Sequence, residues 1–336
     1  MSRKLITIST IMTLMSTSVI ADVPNVAADI APIHSLVSRV MDGVGAPKLI
    51  VQSGASPHGY RLRPSEAKAL QDADHVFWMG EELTPWLDSA IGTLASKASV
   101  TTLLDQQGVI LHDFREGALF EAHDHSAHGD DDDDDHDDHD DHDDHDDHKD
   151  HDDDDDHDDH DDHDDHGSHD PHAWLSPENA KLWLNIIASK LSVSDLENAA
   201  TYFMNAAAGQ AEIEAMIAEV KATLKPVQGG KFVVFHDAYQ YFENDFDFYA
   251  SGAISLGDSS DPSPARIEKV QKRIRDEGIQ CVLAEPQFKK GLVATVMEGS
   301  DATASVIDPL GAELETGPKL YTRLIKNMAK TLRNCL

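Results

Sequence analysis

Cysteine is nearly missing: Cys281 and Cys335 are the only two in 336 residues. That excludes a thiolate metal cluster and a disulfide-dense scaffold. Long apolar runs are missing too. After the first 20 residues no segment approaches the roughly 18 continuous apolar residues of a membrane-spanning helix. Basic residues are scarce, 27 Lys and Arg against 62 Asp and Glu, for a formal charge of −35. Nucleic acid is therefore not an expected partner, because phosphate binding needs a basic face. There is no His-Glu-x-x-His pair, no Gly-x-Ser-x-Gly elbow and no Gly-x-x-x-x-Gly-Lys loop. The usual signatures of zinc proteases, serine hydrolases and P-loop enzymes are thus absent.

What the chain has in excess is Asp and His in one place. Residues 123–170 hold 28 Asp and a single Lys, a charge of −27 that leaves −8 for the rest. Asp130–His166 runs largely in Asp-Asp-His triplets without an apolar residue. Such a segment cannot bury enough apolar surface to fold, and a disordered insert over residues 121–170 is expected. Its imidazoles and carboxylates suit divalent first-row metals. Weak accessory metal sites are expected at His123, His125, His128, His136, His139, His142, His145, His148, His151, His157, His160, His163, His166 and His169. Only neutral imidazole binds metal, so capture weakens as pH falls through about 6.5.

The N-terminus reads as a secretory signal over residues 1–21: basic Arg3 and Lys4, a short apolar stretch Leu5–Ile20, then small Ala21 at the expected cleavage point. The mature chain is expected in the periplasm, without membrane insertion and as a monomer. In an exported protein the even cysteine count points to a Cys281–Cys335 disulfide. It would tie a C-terminal helix to a preceding strand and contribute roughly 4 kcal/mol by the chain-entropy argument.

Short strands alternate with helices on both sides of the tract, which predicts an α/β fold with mostly parallel sheets. The first lobe is expected over residues 22–193, with strands at Val23–Ile30, Lys48–Gln52, His75–Met79 and Val100–Leu104. Ser194-Asp195-Leu196-Glu197 matches a capping box and opens a long helix, over 194–225, that would join the lobes. The second lobe, residues 226–336, resumes the alternation with strands at Lys231–Phe235, Cys281–Ala284 and Ser305–Ile307.

Four potential ligands share one context, just beyond a strand or at a helix start. They are His58, His172, His236 and Asp308, two from each half of the chain. In open α/β sheets sites form beyond the carboxyl ends of strands, so a cleft between two lobes follows. Three imidazoles and a carboxylate suit four-coordinate Zn²⁺. A lone His at a strand end is more often a hydrogen-bonded structural residue; it is the joint pattern that argues for metal. His34 and His75 have no such context and read as structural.

The runs Gly54-Ala55-Ser56-Pro57-His58-Gly59-Tyr60, Asp170-Pro171-His172-Ala173-Trp174-Leu175, Phe235-His236-Asp237-Ala238-Tyr239, Ala284-Glu285-Pro286-Gln287 and Asp308-Pro309-Leu310-Gly311 resemble the ZnuA-type periplasmic zinc-binding proteins of ABC importers. The likeness spans nearly the whole mature chain in one order. It implies two lobes hinged on a rigid helix, a zinc site between them and delivery to a membrane permease. It carries the ligand roles onto His58, His172 and His236. Some members place Glu directly before the first His, where this chain has Pro57; the family's other pattern uses a carboxylate in the C-terminal lobe, and the resemblance carries that role onto Asp308, with water and then Glu285 behind it. Glu285 is better suited to orient a His N–H from outside the shell. Manganese-binding relatives carry Glu in place of His236, so His there leans to zinc. The competing readings are a periplasmic zinc buffer or metallochaperone, a manganese-binding protein and a zinc hydrolase. The last needs an open coordination position, which three His and Asp308 would close.

Overall fold

A computed structural model of the protein describes residues 23–115, 169–255, 262–287 and 290–336. The proposed signal and cleavage point, the sites from His123 to His166 and the start of the helix expected at Lys289 lie outside the described residues.

The first lobe runs β1 (Val26–Ala28), α1 (Ala31–Val40), β2 (Lys48–Leu49), α2 (Pro64–Gln71), β3 (His75–Trp78), α3 (Pro85–Leu94) and β4 (Ser99–Thr102). Two long helices follow, α4 (Pro177–Ser194) and α5 (Ala199–Leu224). The second lobe runs β5 (Phe232–His236), α6 (Gln240–Phe246), β6 (Ala253–Ser255), α7 (Pro264–Glu277), β7 (Cys281–Ala284), α8 (Lys290–Met297), β8 (Thr303–Val306) and α9 (Leu320–Cys335). Each sheet has four parallel strands in the same kind of order, β2-β1-β3-β4 and β6-β5-β7-β8.

Local chemistry explains the helix starts. Pro32, Pro64, Pro85, Pro177 and Pro264 sit in first turns, where a missing N–H costs nothing. Ser176 and Ser263 cap α4 and α7, each Oγ accepting a backbone N–H at 3.3 Å.

The inner strands are covered on both faces, so both rows of side chains are apolar. On β5, Val233 and Phe235 pack outward with Val270 and Ile274 of α7 and Val293 of α8, while Phe232 and Val234 face the other way. On β3, Val76 and Trp78 pack outward with Leu70 of α2 and Leu87 of α3, and Phe77 faces inward. The inward rows of both sheets and the buried sides of α1, α4, α5 and α9 form one continuous core.

The expected long helix is present but starts at Ala199 rather than Ser194. Ser194 ends α4, its Oγ bonded to the Leu191 carbonyl and to the His75 ring, so it cannot cap. Asp195 accepts the Asn198 N–H instead, at 3.2 Å. The strand expected over Lys48–Gln52 shortens to the two residues paired with Ala27 and Ala28. The short α6 and β6 were not foreseen. The Cys281–Cys335 disulfide is formed and ties β7 to the end of α9. Among the described residues no helix is long and apolar enough to cross a membrane.

Candidate metal centre

The residues of interest gather where the carboxyl ends of the two sheets face each other. His236 is the last residue of β5 and continues the inner row of Phe232 and Val234, because side chains repeat every two residues along a strand. Glu285 follows β7 by one residue, which brings its Oε1 to 2.5 Å from His236 Nδ1. Gln287 donates to the other oxygen, Oε2, at 2.8 Å. All of Glu285 but 3 % is buried.

His172 stands immediately before a turn of 3₁₀ helix, Ala173–Leu175, that leads into α4. Asp170, two residues earlier, accepts both the His172 backbone N–H at 3.0 Å and its Nδ1 at 2.6 Å. Among the described residues its second oxygen, also buried, has no hydrogen-bond partner. With each Nδ1 held by a buried carboxylate, the two rings turn their Nε2 atoms toward each other, 3.4 Å apart.

His58 belongs to the loop between β2 and α2. The loop turns at Gly54, in the left-handed region at φ 83°, and is pinned where Trp86 Nε1 donates to the Pro57 carbonyl at 2.7 Å. The His58 ring centroid lies 5.5 Å from that of His172. Asp308 lies two residues beyond β8. Its Oδ1 accepts the Leu310 and Gly311 N–H groups and its Oδ2 that of Ala312. Gly311 takes a left-handed φ of 72°, and a Cβ there would crowd Leu314 and Leu320 at 3.3 Å. Among the described residues no three His, Cys, Asp or Glu side chains converge as a finished ligand set. The His172–His236 pair is the part brought to ligand spacing, with His58 beside it.

Contacts between the halves of the chain are dense around these residues. Trp174 Nε1 donates to the Pro309 carbonyl, Tyr321 Oη to the Trp174 carbonyl and Ser176 Oγ to Asp245. Arg115 reaches over from the first half to Asp237, next to His236, and to Glu243 on α6. Burial pushes both of these carboxyls above their ordinary range, and the guanidinium offsets part of that. Asp113 and His169 form an antiparallel bridge, closed by a 2.8 Å side-chain contact. His169 is therefore held on Asp113 with its side chain partly exposed. His34 and His75 are buried against Pro47 and Ser194.

Sequence reasoning gave no role to Asp170, Asp237, Arg115, Tyr239 or Gln287. For Asp170 and Gln287 a signal existed: each is two residues from a candidate, a spacing that lets a short side chain meet its neighbour. Arg115 carried no signal, since its partners are more than 120 residues away.

The family described as zinc-uptake complex component A, periplasmic (ZnuA) matches residues 26–335. The high-affinity zinc uptake system protein ZnuA of Brucella abortus (strain 2308) is 50% identical over 311 residues, covering 93% of this chain and 91% of its own. Its namesake in Paracoccus denitrificans (strain Pd 1222) is 45% identical, covering 94% and 93%. Among solved structures, a ZnuA 138–173 deletion mutant with zinc bound has a TM-score of 0.69 at 20% identity, covering 94% of this chain and 98% of that one. FpvC of Pseudomonas aeruginosa, in complex with Mn²⁺, has a TM-score of 0.68 at 17% identity, covering 93% and 97%. The structural likenesses carry the fold; the sequence likenesses carry the family. The chain belongs to the ZnuA family, whose members are periplasmic binding components of zinc uptake rather than enzymes.

Proposed function

We propose that the protein captures Zn²⁺ between its lobes and passes it to the membrane permease of an ABC importer. The observation that carries this reading is the His172–His236 pair, with Nε2 atoms 3.4 Å apart and each Nδ1 on a buried carboxylate. Two nitrogens on one tetrahedral zinc, at about 2.0–2.1 Å each, lie about 3.3 Å from one another. A carboxylate on Nδ1 fixes the ring and makes Nε2 the metal-binding atom. His58 supplies a third imidazole by a small movement of its loop. Asp308 supplies the fourth ligand. Its three backbone bonds leave one lone pair of Oδ2 for a cation, out of about four on a carboxylate. Water is the next choice, and Glu285 is bound instead to His236. Three imidazoles favour zinc over manganese, which prefers harder oxygen donors.

The chain does no covalent chemistry in this reading. Release requires a permease that favours a form with the ligands drawn apart, because a state shifts only by differential affinity. The protein acts as an exported monomer cleaved near Ala21, with the lobes at 22–193 and 226–336. The Asp/His tract collects cations weakly beside the tighter site. Competitive chelator titration of wild type against His58→Ala, His172→Ala and His236→Ala tests the site. One tight site lost in each variant is expected, with weak binding retained; tight binding in all three would overturn it. Removal of residues 123–169 should slow growth at scarce zinc, and unimpaired growth would remove the collector role.

A further inference from the structure

We propose that Tyr239 is a positioning residue of the metal site, its hydroxyl only loosely engaged with Glu285 in the free protein and well hydrogen-bonded when metal is bound. The inference rests on the zinc-site reading above. Tyr239 lies three residues after His236, at the start of α6, and its ring stands edge-on to the His236 ring with centroids 6.3 Å apart. The residue is 2% exposed, yet its hydroxyl has no hydrogen bond of sound geometry. The other buried tyrosines of the seam do not share this state: Tyr321 donates to Trp174, Tyr241 to Asp170 and Tyr202 to Asp195.

The surroundings show what the hydroxyl faces. Burial first, and then the carboxylates of Glu285 and Asp308, push its phenol well above the ordinary range. The hydroxyl lies against the Glu285 side chain, in a contact short of sound hydrogen-bond geometry; Glu285 Oε1 also meets His236, and its Oε2 accepts from Gln287. Asp308 is held back by its own turn. A buried hydroxyl held only by a poorly aligned contact costs stability, and its retention points to a state in which it is better paired. Metal binding creates that state. When Asp308 or a bound water moves in to complete the shell, an acceptor comes within reach of Tyr239. The hydroxyl then holds the incoming oxygen and leaves Glu285 on His236. This divides the two carboxylates of the second lobe into one ligand and one orienting partner.

The test is Tyr239→Phe in the full chain, read twice: thermal melting of the metal-free protein and zinc affinity by chelator competition. The metal-free melting temperature is expected to stay level or rise, while zinc affinity falls about tenfold, the worth of one buried hydrogen bond. Unchanged affinity would overturn the proposal. So would a fall in affinity that accompanies a fall in the metal-free melting temperature, which a packing role would produce. His236→Ala, measured alongside, separates the two readings. If it keeps tight zinc, the site itself is misassigned; if it loses zinc and Tyr239→Phe does not, only the role of Tyr239 fails.

Discussion

The first strand of each sheet stops at a buried polar side chain, and the two stops are wired differently. Asp29 follows β1 with no exposed surface, and its two oxygens accept the backbone N–H groups of Ile30 and Met79 at 2.8 Å. His236 closes β5 and meets the Glu285 side chain, leaving Nε2 toward His172. Met79 and Glu285 occupy matching places, each one residue past the third strand of its lobe in chain order. The first lobe thus turns its polar group back onto its own backbone, while the second aims one nitrogen at His172 of the other half of the chain. His34 sides with Asp29, since its two ring nitrogens meet Pro47 and Ser38. Burial alone therefore does not mark a site. The proposed site is distinguished instead by a buried imidazole aimed at an imidazole from the other half of the chain.

The sharpest way to break this distinction is His236→Ala. It should cost about 1,000-fold in zinc affinity, some 4 kcal/mol, in a chelator competition assay; wild-type affinity would erase the difference between the lobes. Next comes Asp29→Asn, read as metal-free stability against pH. Burial raises the Asp29 carboxyl from 3.8 to about 7. The folded state thus keeps a proton that the unfolded state loses above about pH 4. The stabilisation this group gives is present below about pH 4 and is lost as pH rises to about 7, by a few kcal/mol. Urea titrations from pH 4 to 8 should show that slope in wild type and not in the variant, with zinc affinity unchanged at neutral pH. An altered zinc affinity would give Asp29 a share in the site. Glu285→Gln should weaken zinc by about 10- to 100-fold, the usual effect of removing a histidine's orienting carboxylate. The smallest effect belongs to Gln287→Ala, which removes one donor to Glu285; a loss of about two- to fivefold is expected by calorimetric titration.

The alternation of strands and helices was legible in the sequence because both faces of each sheet are buried, which makes the strands apolar runs set off by Pro and Gly. The long helix was legible, but its start was not. Ser194-Asp195-Leu196-Glu197 carries a capping pattern, yet Ser194 is engaged by His75 across 119 residues, a contact no local pattern records. The short α6 and β6 were too brief for periodicity to reveal. At the site, His236 could be read from a strand end and His172 from a helix start, while Glu285 entered only through the family resemblance. Their coupling could not, because it depends on which strand of a sheet lies beside which: β5 pairs with β7, and that adjacency alone brings Glu285 to His236. The ion pairs of Arg115 and the poorly aligned hydroxyl of Tyr239 are consequences of three-dimensional packing and leave no trace in spacing.

The inner core runs without a break from Val26 and Phe77, through Tyr202, Ile213, Met216 and Val220 of α5, to Phe232 and Leu283. Two lobes that share one core are not two independent bodies on a flexible tether. Their stabilities are pooled, so a cavity made under either sheet weakens the whole molecule, and cargo bound at the proposed site would reinforce both halves by mass action. If the proposed site holds, loading with metal would serve as a global clamp on unfolding, and the metal-free chain would be the form most open to proteolysis.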